Sequence, residues 1–529
     1  MKLSARITSA TSARRTAIFG ASALCAAASL LFPLAGARSQ TSNSPQAPAA
    51  RATSPRSSAA TASFDAAVTA RLNNDISALT RFPSRAPGTQ GNTQAASYVE
   101  KRMRDIGLQV SSDTYNVTAP VTTGGRATLN VGGQSLSVLP MYPNGVAPSS
   151  VPRNGLTAPM IYARGGQPRD FNGMTVKGTI VALDFNSGMN WITAADLGAR
   201  AIVFLEPTPG ADANQAPTSR GQAERKFAAL PVEMPRFYAP KATADAIRAA
   251  AGGSSTGSGP RVTLQSQVTW QHVPVRNILG RLQGTDPTLG KQVVVINSYY
   301  DSLAITPDLA PGAEAAGNCA AFLEMARYFK ANPPKYSLLF VANGAHHMAL
   351  AGVRNFLNKH YVDTSGKAAK ETVDRIASYR AFIGLDLTSR TDTVGLFAKG
   401  AFYNQMVSGG NNQESILLNQ FAGFAKTMYE DYAQPEAKRR GVPVESFYVD
   451  GIRGLSGRTW RSYLPSLVAL DSEAATMTGK QSISFATAND VRVLQDTPFD
   501  VASAMNLPNL ARQIATIQLL LSKSLNSGE

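Results

Sequence analysis

One stretch, Gln292 to Lys359, constrains this chain more than any other. Two short, largely apolar runs, Val293–Ile296 and Tyr336–Ala342, flank a helical pattern read from Gly317 to Asn332. Apolar runs of this length, rich in branched residues, read as strands buried on both faces. A strand, a helix and a strand in that order form a right-handed crossover between parallel neighbours. Polar residues follow each strand: Tyr299, Tyr300 and Asp301 after the first, and His346 and His347 after the second. Glu314 lies in the connection between them. Ligands of open α/β sheets sit beyond the carboxyl ends of strands, so a site is expected there.

The remainder of the 529 residues reads as several segments. Residues 1–37 carry Lys2, Arg6, Arg14 and Arg15, an apolar stretch Ala17–Leu34, and Ala35-Gly36-Ala37. That is the pattern of a cleavable signal peptide, and it predicts an extracytoplasmic protein, periplasmic or secreted. An uncleaved anchor is the alternative reading, and the sequence does not separate general secretion from twin-arginine export. Residues 38–62, rich in Ser, Ala, Thr and Pro, read as a disordered linker. Helices are expected over Phe64–Leu79 and Thr93–Ile106, the second capped by Gly107. From 121 to 271 helical patterns thin out and short strands appear, which reads as an inserted, mostly β module. The α/β texture resumes at 272–529, with strands expected at Ala381–Leu387 and Ser466–Leu470, and helices at Glu414–Tyr432 and Phe499–Leu525.

Charge and cysteine usage narrow the function classes. The formal net charge is +16, a quarter of it from the four basic residues of the leader. The basic run Lys438-Arg439-Arg440 reads as a solvated helix end, and no nucleic-acid motif is present, so no nucleic-acid partner is expected. No membrane span is expected once the signal is removed. Beyond Cys25 the chain holds only Cys319, read as a small core residue, so no internal disulfide can form. Arg453, Arg458 and Arg461 cluster in one loop, either as solvated charges or facing an acidic ligand.

The motifs VVVINSYYDS, PGAEAAGNCAAFLEMAR, LLFVANGAHHMALAG and FIGLDL, in that order, resemble the M28 metallopeptidases. GTIVALDFN and LGARAIVFLEP within 121–271 are similar to the protease-associated domain that some members carry. The resemblance implies an α/β fold: a three-layer, mostly parallel sheet flanked by helices, divided as 63–120 and 272–529 around the insert. It also implies a pair of zinc ions, held by two His, two carboxylates and a bridging Asp, with a neighbouring Glu as general base. Two divalent ions polarise a carbonyl and acidify the attacking water.

This sequence departs from that ligand pattern. Tyr299 stands where the resemblance expects a ligand His, and Ala486 stands at the other. Glu314 takes the bridging position, His346 the base and His347 the paired ligand; Asp301 keeps the orienting position and Asp386 a metal-ligand position. The chain has four histidines in all, His272, His346, His347 and His360. A catalytic zinc needs about three protein ligands, which neither original site retains. Two readings stay open. In one, the protein is a degenerate relative, without a zinc cofactor, that binds a peptide or protein ligand in the old cleft. In the other, Glu314, His347 and Asp386 hold a single zinc at an altered site, and His346 serves as base. Simpler roles exist for each residue. Tyr299 and Tyr300 can fill the cleft, the two histidines can line a polar crevice, Asp301 can hold the strand-end turn, and Asp386 can pair with an Arg or His. A binder of anionic envelope polymers is a third reading. Oligomeric state is not legible.

Overall fold

The computed structural model describes residues 59–122, 127–142, 145–208, 219–226, 234–252, 259–360, 378–402, 421–465, 468–476 and 481–527. The signal-peptide reading and most of the linker reading lie outside them. The described residues belong to one compact unit, 54–228 with 232–529.

The helix expected from Phe64 begins at Ala59 and runs to Thr80, so residues 59–62 are its first turn rather than linker. An Ala-rich start favours helix at no packing cost. Val68, Leu72, Ile76 and Leu79 face the core at the predicted spacing. The second helix spans Gln90–Ile106, three residues longer at its start than expected, because Thr89 caps it by accepting the Asn92 N–H. Gly107 ends it in the left-handed conformation, φ 91°.

Among the described residues fifteen strands follow in chain order. β1 is Gln109–Thr122, β2 Ala127–Val131, β3 Gln134–Pro140, β4 Leu156–Tyr162, β5 Ile180–Asp184, β6 Ala201–Leu205, β7 Arg236–Ala239 and β8 Arg261–Gln265. β9 is Val268–Leu282, β10 Val293–Tyr299, β11 Ser337–Asn343, β12 Tyr379–Asp386, β13 Val394–Phe397, β14 Tyr448–Asp450 and β15 Ser482–Thr487. β2 through β8 close a barrel in the order β2-β3-β7-β6-β5-β4-β8 around Leu129, Val138, Met160, Val203, Phe237 and Leu264. β1 and β9 pair antiparallel along their whole lengths, from Gln109 opposite Arg281 to Thr122 opposite Val268. That ribbon enters and leaves the barrel, so residues 121–122 and 268–271 belong to the large sheet and not to the barrel.

The large sheet has eight strands in the order β1-β9-β11-β10-β12-β15-β13-β14. It is mixed, with four parallel and three antiparallel pairings, and so keeps the expected predominance of parallel neighbours. β11, β10, β12 and β15 run parallel at its centre, while β1, β9 and β13 join antiparallel. The β1–β9 ribbon runs antiparallel because its strands are the two arms of one long excursion. β10 lies between β11 and β12, so the chain passes to opposite sides of β10 in turn. That is a topological switch point, where a crevice opens beyond the carboxyl ends.

One face is covered by the helices Ala59–Thr80, Ala313–Ala331 and Leu507–Ser527, the other by Ala351–His360 and Asp471–Thr476. The helix expected from Gly317 starts at Ala313. Gly312 precedes it at φ 54°, and a Cβ there would meet the Ser302 Cβ at 2.5 Å. Glu314 is therefore in the first helical turn. The last helix starts at Leu507, not Phe499, where Asn506 Oδ1 accepts the Asn509 N–H (3.3 Å) and Pro508 suits the first turn. Residues 468–470 form no strand, contrary to expectation, and lead into the helix at Asp471. Cys319 is buried in the core, as expected. Among the described residues no helix is long and apolar enough to cross a membrane.

Phe322, on the buried face of the Ala313–Ala331 helix, meets Phe340 of β11 edge-to-face at 5.7 Å. Phe322→Ala is expected to lower stability by about 3–5 kcal/mol, read from the shift of the urea unfolding midpoint.

Candidate functional site

The strand ends deliver their polar residues to one place. Asp301, just beyond β10 and without exposed surface, accepts the backbone N–H groups of His346 and His347, each at 3.1 Å. Its second oxygen also meets His347 Nδ1 at 3.1 Å. Burial alone would raise this carboxyl, but His347 and His346 outweigh it and hold it below the ordinary value. Asp301 thus fixes the turn after β11, the structural role allowed for it above. Tyr299 is buried and stacks on the His346 imidazole, with ring centroids 3.8 Å apart and 13° between planes. Tyr300 points behind the turn and donates to the Arg276 carbonyl at 2.6 Å. A Cβ at Gly344 would lie 2.2 Å from its hydroxyl, so it packs against backbone.

His346 Nδ1 lies 2.9 Å from Asp471, whose other oxygen accepts from Asn343 at the end of β11. Burial opposes the charged imidazole. Asp471, with Asp301 and Asp386, overcomes that and raises His346 to about 9, so it is a cation at neutral pH. Both imidazoles spend Nδ1 on a carboxylate, and neither Nε2 has a protein partner.

Asp386 ends β12, and the β12–β15 ladder sets Ala486 directly beside it. Its carboxylate faces Arg492: Nη1 lies 2.7 Å from Oδ1, both side chains at 5% exposure or less. No aligned N–H reaches that oxygen, so the contact is an ion pair by charge and distance rather than a well-formed hydrogen bond. Arg492 Nη2 also donates to the Asp386 carbonyl at 3.4 Å. Burial would lower the guanidinium, yet Asp386 and Tyr299 more than offset it and raise it. Asp490 holds the Arg492 turn through its backbone N–H at 2.8 Å, and Arg492 adopts φ 53° there.

Glu314 is occupied elsewhere. Its carboxylate accepts the Ser389 N–H (2.7 Å) and hydroxyl (2.9 Å), while its own N–H donates to Asp500 at 3.1 Å. Burial raises Glu314, and raises Asp500 beside it further.

A cleft of about 190 Å³ is lined by His346, His347, Asp386, Arg492, Arg220, Phe402 and their neighbours. It brings His346, His347 and Asp386 together; Tyr299 stacks against His346 in the wall, and Tyr300 and Ala486 are buried away from it. Glu314 does not line it. The expected convergence of Glu314, His347 and Asp386 is therefore not found, because Ser389 holds Glu314, Asp301 holds His347 and Arg492 holds Asp386. Among the described residues no three His, Cys, Asp or Glu side chains are placed to share a metal ion. Arg492, Asp471 and Arg220 went unread in the sequence. Arg220, from the segment between β6 and β7, donates its N–H to the Val493 carbonyl (2.6 Å) and pairs with Glu224 and Asp496. The only advance signal was that Asp386, in an apolar strand, required a cation.

Arg492→Leu leaves Asp386 buried and uncompensated, and is expected to cost about 3–5 kcal/mol in a denaturant titration. The His346 shift has a defined sign. Its folded value lies above the ordinary 6.5, so its contribution is complete below about pH 6.5 and is lost as pH rises through about 9. A melting series from pH 6 to 10 should decline across that window, by about 3 kcal/mol at most, and Asp471→Asn should flatten it.

Residues 277–506 match the family model "Peptidase family M28". No curated protein matches the chain. Among solved structures it is similar to a zinc aminopeptidase from Bacillus subtilis, at 16% identity over 86% of this chain and 94% of that one, TM-score 0.51. It is also similar to a peptidase M28 precursor from Shewanella amazonensis, at 14% identity over 88% and 96%, TM-score 0.50. At these identities the structural likeness speaks to the fold. The family match and the shared fold together make residues 277–506 M28 peptidase-like.

Proposed function

We propose that this protein is an exported, catalytically degenerate M28 member that binds a peptide or protein segment in the former substrate cleft, without a zinc centre. The single observation that carries the reading is the Arg492–Asp386 pair. A tethered guanidinium sits against the carboxylate that a metal would need, and a metal ion there would face a fixed positive charge. The rest of the donor set fits zinc no better: Glu314 is committed to Ser389, Tyr299 is stacked under His346, and Ala486 has no donor atom. No metal-dependent step is therefore assigned.

What the cleft offers is hydrogen bonding. Both imidazoles line it, neither Nε2 has a protein partner among the described residues, and His346 arrives charged. Such donors suit the carbonyl or carboxylate oxygens of a peptide. The barrel of β2–β8 is read as the protease-associated insert, and Arg220 brings it to the cleft rim. Export rests on the leader pattern of residues 1–37.

The test is metal content and turnover. After zinc loading and dialysis, native mass spectrometry is expected to show no stoichiometric zinc. Aminoacyl p-nitroanilide hydrolysis should not exceed that of His347→Ala. About one zinc per chain, lost in His347→Ala or Asp386→Asn and accompanied by chelator-sensitive turnover, would establish the altered single-metal enzyme instead.

A further inference from the structure

The arginine-rich loop that the cleft leaves unused builds a second pocket. β13 and β14 are parallel neighbours, so their carboxyl ends open on the same side. Ala398 and Lys399 follow β13, and the loop Gly451–Arg461 follows β14. Gly451 donates to the Leu396 carbonyl (3.0 Å) and packs so closely that a Cβ would meet the Phe397 ring at 2.2 Å. Gly454 and Gly457 turn the loop at φ 66° and 72°. The open pocket between them measures about 380 Å³.

Its lining carries Lys399, Arg453, Arg458 and Arg461, and no carboxylate. Arg453 spends Nε on Asp450 and Nη1 on Glu430 (2.9 Å), which leaves Nη2 buried without a partner. Arg458 and Arg461 have no acidic partner among the described residues; they lie over the Tyr463 and Trp460 rings at 5.9 and 4.7 Å. Arg458 also lines an adjoining pocket with Asp450 and Glu445, where Asp450 is held by Arg453 and Glu445 accepts from Tyr429 at 3.0 Å. Several cations held around one concavity repel each other unless an anion shares the space. A single carboxylate offers too little charge and too few acceptors for three guanidinium groups, whereas a tetrahedral dianion offers an acceptor to each.

We propose that this pocket binds a small molecule bearing a phosphate or sulfate group, through Arg453, Arg458 and Arg461. The site is distinct from the His346 cleft and independent of whether that cleft holds a metal. A pocket of about 380 Å³ with its cations at one place favours a single charged group with a small carrier over a polymer, which would need an extended stripe of charge.

The test is calorimetric titration of the purified full-length chain with inorganic phosphate, sulfate and acetate, at ionic strength held constant with sodium chloride. Phosphate or sulfate should bind, and acetate should bind at least roughly tenfold more weakly. The stronger of the two tetrahedral anions names the ester class. Arg458 and Arg461 are exposed, so the double variant Arg458→Gln/Arg461→Gln should melt like the parent without anion and lose roughly tenfold or more in affinity. Equal heats for all three anions, acetate as the preferred ligand, or undiminished affinity in the double variant would overturn the proposal.

Discussion

Carboxylates buried at the carboxyl end of the central sheet are the constraint on which this structure depends. Asp301, Glu314, Asp386, Asp471, Asp490 and Asp500 are all at 9% exposure or less. An unpaired charge in such a place costs far more than the few kcal/mol that separate folded from unfolded chains. The protein meets each charge from within. Asp386 takes Arg492 and Asp471 takes His346. Asp301 takes His347 and two backbone N–H groups, Glu314 takes Ser389, Asp490 takes the Thr388 hydroxyl and the Arg492 N–H, and Asp500, raised by burial, takes the Glu314 N–H. These partners occupy the donor atoms, so the electrostatics of folding and the chemistry left to the cleft are one problem with one solution.

Arg85 plays the complementary part. Its guanidinium is fully buried and donates to the carbonyls of Tyr300 (2.9 Å), Leu79 (3.2 Å), Pro311 (2.7 Å) and Gly312 (2.9 Å). It clamps the end of the first helix, the exit of β10 and the entry to the Ala313–Ala331 helix. Burial lowers it to about 10, still charged at neutral pH, with no direct acid partner. The positions of Asp301 and Glu314 therefore depend on a residue from the RAPG turn, over two hundred positions away in sequence.

The fold was legible where one local pattern decided it. β10 and β11 carry the apolar runs Val293–Ile296 and Leu338–Ala342 because helices cover both faces, and that reads directly as buried strand. The helix Gln90–Ile106 ends at Gly107 because only glycine enters the left-handed region without strain. Reading failed where a boundary rests on a distant contact. The Ala313 helix starts early because Gly312 turns against Ser302, and residues 121–122 and 268–271 join the large sheet because β1 pairs with β9 across an entire barrel. The site was half legible. His346, His347 and Asp386 do meet in the cleft, Tyr299 packs against its histidine, and Asp386 did require a cation. Glu314 was misplaced because its acceptor needs were already met by Ser389.

The sequence by itself determined which donor types exist: four histidines, with Tyr and Ala at Tyr299 and Ala486, and the crossover that sets the switch point at β10. These follow from residue identity and local periodicity, which need no knowledge of the rest of the chain. Only the tertiary structure decided which charge meets which. Arg492 reaches Asp386 across 106 positions, and Asp471 reaches His346 across 125. It also decided that Arg453, Arg458 and Arg461 line one open pocket. Coulomb and hydrogen-bond partners are set by separation in space, and a one-dimensional pattern does not carry that distance.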